Sequence, residues 1–217
     1  MAELTEPNTL GDGIRWEESN DYSREKVTVK SGENLALLEV VGKVLVDVPT
    51  TGTAGTNTGN GTCGSVAGGA KTIPETWTLK CTAAATNGGT FSVVGSVTGR
   101  IADASVGVAF ASDLINFTIA DGTTDFAAGD SFTIEVAAGS GEVAAFDSDA
   151  VDGTNRAAGI MVAAADASSA SVQGAAIVRE AMIDANNLVW PTGITADQKT
   201  AALADLETLG IVAIETA

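Results

Sequence analysis

Hydrophobic and polar positions divide the chain into stretches of different texture. From Lys26 to Val48 (KVTVKSGENLALLEVVGKVLVDV) the pattern alternates and then runs apolar, and Ser31-Gly32-Glu33-Asn34 supplies a turn between two predicted strands. Past Pro49, residues 50–69 are almost only Thr, Gly, Asn, Ala and Ser, which predicts a long flexible loop or linker. Evenly spaced β signals follow at Thr76–Thr82, Thr90–Val94, Gly107–Phe110, Asn116–Ala120 and Ser131–Ala137. Short strands punctuated by Gly, Asn and Asp point to a small sandwich or barrel. Phe117-Thr118-Ile119 and Phe132-Thr133-Ile134 echo each other; Phe and Ile face one side and Thr the other, which predicts pairing within one sheet.

After Gly139-Ser140-Gly141 the chain turns Ala-rich and ends in a readable helix. Thr195 and Gln198 have capping-box spacing. Leu203, Leu206 and Leu209 keep one apolar stripe, and Gly210 stands at the C′ position. IVAIET then returns to strand-like alternation, and Trp190-Pro191 reads as an extended corner because a residue before proline avoids the α region. Residues 170–183 fit helix and strand equally by periodicity. The expected fold is mainly β, with one short C-terminal helix and an inserted small sandwich or barrel-like module. The expected division is an arm at 1–24, a discontinuous core domain at 25–49 and 139–217, and an insertion at 50–138.

Composition narrows the function. Hydrophobic residues make up 45% but aromatics only 5%, so small and β-branched residues must form the core. The net charge of −17 opposes binding to phosphate backbones and suits a soluble surface or a basic protein partner. The N-terminus lacks the basic and apolar regions of a secretory signal, and the longest apolar stretch, Ala157 to Ala165, is about half of what a membrane helix needs. There is no histidine, so Ser-His and Cys-His nucleophile pairs are excluded. No phosphate-binding glycine motif occurs, and aromatics that line sugar clefts are scarce, so the chain reads as a non-enzyme without cofactor or metal. Asp121, Asp125 and Asp130 sit near glycines; hairpin-turn chemistry and a calcium loop both fit, though the spacing is not that of an EF-hand. Cys63 and Cys81 read as free thiols, or as a bridge if adjacent strands carry them.

The ordered set Ala157-Ala158-Gly159-Ile160-Met161-Val162-Ala163-Ala164-Ala165-Asp166, Leu188-Val189-Trp190-Pro191, capped helix and final apolar strand resembles the head decoration protein family of bacteriophage lambda and its relatives. The stretch Trp16–Lys43, with Tyr22-Ser23-Arg24-Glu25, is similar to the longer members. The resemblance implies a homotrimer on the outer surface of the virion, at three-fold and quasi-three-fold sites of the expanded shell. Each N-terminal arm would add a strand to the major capsid protein, and the shell would be held against the pressure of packaged DNA. No nucleic acid or membrane partner is implied.

Residues 1–24 suit an arm that stays extended or disordered when alone: they hold six of the 28 acidic residues and little to bury. Its candidate capsid contacts are Ile14, Arg15, Trp16, Tyr22 and Arg24. Ile14 and Trp16 would share one face of a strand, either anchoring in the shell or tucking against their own domain. Trp190 and Pro191 form a corner that fits the protein's own core or the trimer contact. The block 50–138 is absent from the smallest family members, and is expected to project outward. The alternative reading is a surface adhesin or glycan-binding module acting through 50–138.

Overall fold

The computed structural model describes residues 9–215. The fold is β-rich and, among the described residues, has one helix longer than a single turn, Ala196–Thr208. The chain divides into two compact units, one from its two ends (1–44 and 141–217) and one from 45–140.

In the terminal unit, five strands close a barrel in the order Val143–Ala145, Arg24–Val29, Val172–Ile177, Ala157–Met161, Val40–Lys43 and back to Val143–Ala145. Its filling is small and aliphatic: Val29, Val41, Val143, Met161 and Ala176 among others. Close strand approach needs missing side chains. A Cβ on Gly42 would lie 2.4 Å from the Thr154 carbonyl oxygen. A second sheet joins Ile14–Glu17, Ala181–Asp184 and Ile211–Ile214. With helix Ala196–Thr208 it encloses Leu38, Ile160, Ile183, Leu206 and Ile211. The ambiguous stretch 170–183 thus resolves into strands.

Local chemistry fixes the helix ends as read. The Thr195 hydroxyl accepts from the Gln198 N–H at 3.3 Å, while the Gln198 side chain accepts from the Thr195 N–H at 2.8 Å. Gly210 takes φ +75° to end the helix.

In the 45–140 unit, one sheet runs Gly99–Ser105, Gly88–Gly95, Glu75–Ala85, Ser131–Ala138, Val46–Asp47, with Thr53–Ala54 also pairing to Ser131–Ala138. The other runs Ala109–Phe110, Ile115–Ala120, Thr62–Gly68. Both turn alternate residues into one aromatic core. Two expectations are corrected here. The Phe-Thr-Ile echo does not mark paired strands: Phe117 and Ile119 come from one sheet and Phe132 and Ile134 from the other, meeting in the shared core. Residues 50–69 are not a linker: Thr62–Gly68 is a strand whose Cys63 and Val66 are buried. Gly59 and Gly61 serve packing, since Cβ atoms there would lie 2.7 Å and 2.4 Å from the Phe126 ring.

Cys63 and Cys81 lie on different sheets and are free, buried thiols, so the bridge is excluded. Burial pushes the Cys63 thiol up to about 11 and raises that of Cys81. Two of the three aspartates near glycines do turn chemistry: Asp130 accepts from the Thr58, Gly59 and Ala127 N–H groups, and Asp125 from the Asn87 N–H, while Asp121 Oδ1 is buried without a hydrogen-bond partner among the described residues. Among the described residues no group of His, Cys, Asp or Glu could hold a metal ion.

Candidate functional site

From Leu10 onward the segment read as an arm is regular structure, with single turns Leu10–Gly13 and Asn20–Ser23 on either side of strand Ile14–Glu17. This corrects the expectation that residues up to 24 stay extended or disordered when alone; residues 1–8 of that arm lie outside the described residues. The physical reason is that the segment has apolar and charged groups to satisfy. Leu10 and Ile14 pack against the sheet-and-helix core. Arg15 donates to Asp184 at 2.6 Å, and that carboxylate is wholly buried while it also accepts from the Asn186 N–H. Arg24 grips Glu17 through two bonds of 2.9 Å and 2.6 Å; these raise its pKa above the ordinary arginine value, although burial works the other way.

The strand does not put Ile14 and Trp16 on one face. Ile14 pairs with Ile183, Trp16 with Met182 and Glu17 with Ala181, so a bulge falls between the first two pairs. An extra residue in a strand reverses the side on which the following residues emerge. Ile14 therefore turns inward and Trp16 outward, half exposed.

The result is a surface that no single segment announces. Trp16 stands opposite Met182, and Met182 opposite Val212. These side chains are 50%, 38% and 44% exposed, whereas the alternating Ala181, Ile183 and Ile211 are buried. A row of large apolar groups thus crosses all three strands on the solvent face. Among the described residues Ile14–Glu17 is one edge strand of this sheet. Met182 and Val212 were not singled out from sequence; the signal was the alternation in AMID and IVAI, which marks an outward position without saying that the two rows meet.

Tyr22 is also half exposed, with the Arg179 guanidinium 5.6 Å from its ring centre and an Arg179 Nη1 bond to the Tyr22 carbonyl oxygen at 2.6 Å. Of the five arm candidates, the fold absorbs Ile14, Arg15 and Arg24 and leaves Trp16 and Tyr22 turned to solvent. Trp190 is half-buried against the terminal unit's core, edge-on to Phe146 at 6.3 Å, with Lys199 5.8 Å from its ring centre. Pro191 follows it, half-buried, in the loop before the helix cap.

No curated protein matches the chain. Two crystal forms of Xanthomonas campestris FlgL are similar over part of it. One has 22% identity and a TM-score of 0.32, covering 48% of this chain and 32% of that one. The other has 20% identity and a TM-score of 0.32, covering 51% and 33%. The likeness spans about a third of those chains and carries no argument about fold or function. The family model of bacteriophage lambda head decoration protein D matches residues 3–211, nearly the whole chain with the 45–140 unit included. The β-rich fold and the ordered C-terminal elements agree with that match, and the chain belongs to the bacteriophage lambda head decoration protein D family, whose role is to decorate the phage capsid.

Proposed function

We propose that the protein is a homotrimeric, non-enzymatic clamp on the outside of the expanded phage head, seated at three-fold and quasi-three-fold sites and bound to the major capsid protein. The observation that carries this reading is the exposed row Trp16, Met182, Val212 beside strand Ile14–Glu17, an edge of its sheet among the described residues. An open edge offers backbone donors and acceptors for strand addition, and an adjacent apolar row supplies the affinity that hydrogen bonds alone lack. Arg15 and Arg24 act from within: they hold the edge strand through Asp184 and Glu17 so that the strand is ready before the shell arrives.

Three such contacts on one trimer sum by effective concentration, with gains of roughly 10²–10⁴ over a single contact. A ligand of the expanded lattice alone stabilises that lattice by linkage, which is how a surface protein resists internal DNA pressure. Neither cofactor, nucleic acid nor membrane enters this mechanism. The 45–140 unit projects outward and is dispensable for attachment.

The test is addition of purified protein to expanded shells that lack it. One trimer per three-fold site is expected. Trp16→Ala should weaken binding at least ~30-fold, as loss of an aromatic anchor does, while its circular dichroism stays that of the parent. Undiminished binding of that variant overturns the assignment of the row. Replacing 45–140 by Asn-Gly is expected to leave shell binding within about threefold, because Gly141 N–H already bonds the Val44 carbonyl oxygen at 2.9 Å and the junction can close as a hairpin. Lost binding by a folded excision variant overturns the outward placement.

A further inference from the structure

The sequence has no run of Lys or Arg, yet folding gathers three of its 11 cations around one pocket of about 480 Å³ in the terminal unit. Lys43 ends a barrel strand, and Arg156 precedes Ala157, which pairs with Gly42. The two cations therefore emerge side by side at neighbouring strand ends. Arg179 completes the rim from beyond Val172–Ile177. Arg179 is occupied by Glu25 at 3.1 Å, and Asp205 accepts from the Ala157 N–H. Among the described residues, no acidic group pairs with Lys43 or Arg156. Neighbouring like charges repel, and the two acids that also line the pocket, Glu25 and Asp205, are engaged by Arg179 and by the Ala157 N–H, so the charges of Lys43 and Arg156 are left for an acid outside the protomer. The floor is apolar, with Val27, Val143 and Leu209.

The complement lies on the same unit. The loop 147–152 carries the exposed Asp147 and Asp149 beside Val151, which is 38% exposed, while Asp152 is held within the protomer by Lys30 at 4.0 Å and by the Thr154 N–H and hydroxyl. Its length, charge and single apolar tip match a cation-rimmed pocket with an apolar floor. Loop and pocket adjoin on one protomer, since Arg156 N–H bonds the Gly153 carbonyl oxygen at 3.2 Å. Two different patches that meet head to tail generate a ring when the rotation closes, and adjoining patches suit a tight ring around a nearby axis.

We propose that the pocket rimmed by Lys43, Arg156 and Arg179 receives the acidic loop 147–152 of a second copy, forming the contact between protomers. This deepens the proposed function, resting on its reading that copies assemble, and it names the charges that join them. Everywhere else two copies of so acidic a chain repel, so this contact also sets their orientation.

Carbodiimide joins a lysine amine to an aspartate carboxylate as an amide with loss of water, the carbodiimide taking up that water as a urea. Equal amounts of ¹⁴N- and ¹⁵N-labelled full-length protein, mixed in solution at high concentration and on shells, are cross-linked and mapped by mass spectrometry. The expected product is a heavy–light peptide pair joining Lys43 to Asp147 or Asp149. In the variant K43E/R156E, whose sites are exposed, association between copies should drop at least tenfold, and adding D147K/D149K should restore it. Shell binding without any heavy–light link at Lys43, or a charge reversal that leaves association unchanged, overturns the pocket assignment and leaves the decoration reading standing. Heavy–light links in solution with no binding to shells would support the contact and sink that reading.

Discussion

The two units use their aromatic residues in opposite ways. In the 45–140 unit Trp77, Phe91, Phe117, Phe126 and Phe132 are all buried, and the rings pack edge-on, Phe91 to Phe126 at 5.1 Å and Phe126 to Phe132 at 5.8 Å. In the terminal unit Phe146 is buried, Trp190 is half-buried, and Trp16 and Tyr22 stand half exposed. The terminal core is made instead from Val, Leu, Ile and Ala around a barrel with a close glycine contact. Large rings give the inserted unit stability, whereas on the terminal unit they provide surface. An exposed Trp beside Met and Val is the kind of surface that binds a partner, and the proposed capsid contact lies on the terminal unit.

The largest effect that would break this contrast is in the inserted core. Phe132→Ala should cost about 3–5 kcal/mol by loss of burial and an unfilled cavity, read by chemical denaturation of that unit's transition. A cost under about 1 kcal/mol would mean that the rings are not what holds the unit together. Next comes Asp130, which ties the turn at Thr58 and Gly59 to the turn at Ala127. Burial raises its pKa, but the bonds from Thr58, Gly59 and Ala127 outweigh that and hold it below the ordinary value; Glu75 is lowered in the same way by Thr98 and Val97. A lowered folded pKa contributes stability that is complete above the unfolded value, near pH 4, and fades as pH falls through the folded one. Asp130→Asn should cost about 2 kcal/mol at pH 7 and shrink the loss of stability between pH 5 and pH 2. An unchanged acid profile would show that the turn holds without the charge. Glu39 in the terminal unit has the opposite sign: burial raises it, opposed by the Ala36 N–H and helped by the nearby Glu33 charge, so at that group folding becomes easier as pH falls toward 4.

The contrast was partly legible in the sequence. The helix could be read because its signals are local: Thr195, Gln198 and Gly210 act within a few residues of themselves. Strand positions in 76–137 were legible from alternation, but alternation looks the same whether two strands pair or face each other, so the Phe-Thr-Ile echo was assigned to one sheet. Glycine texture at 50–69 resembled a linker because its reason, the ring of Phe126, lies far along the chain. The candidate site was legible only as Trp16. Its orientation depends on a bulge, and its neighbours Met182 and Val212 arrive by pairing across the whole chain length.

Arg15 sharpens the contrast from the terminal side. Arg15→Ala removes the cation at 2.6 Å from buried Asp184 and should cost roughly 1–2 kcal/mol. That is less than the ~3–5 of a fully buried pair, because the arginine is over a third exposed and partly screened. Thermal unfolding at two salt concentrations checks it. If Arg15 only met the capsid, stability would not move and shell binding alone would fall; loss of both is expected, because the strand it holds carries Trp16.

The smallest effect is at the helix start. Thr195→Ala deletes the hydroxyl that accepts from the Gln198 N–H and donates to the Gln198 side chain, and leaves the backbone N–H bond to that side chain in place, at a cost of about 1 kcal/mol. The helix covers Leu206 and Ala202 against the sheet that bears the exposed row on its other face. Fraying its first turn loosens that core without touching Trp16, Met182 or Val212. Stability of the terminal unit should therefore fall by a few degrees in the melting temperature while shell affinity measured at 25 °C stays within about twofold. A large drop in affinity from this variant would mean that the row works only when its backing is rigid, and the division between buried scaffold and exposed surface within the terminal unit would have to be redrawn.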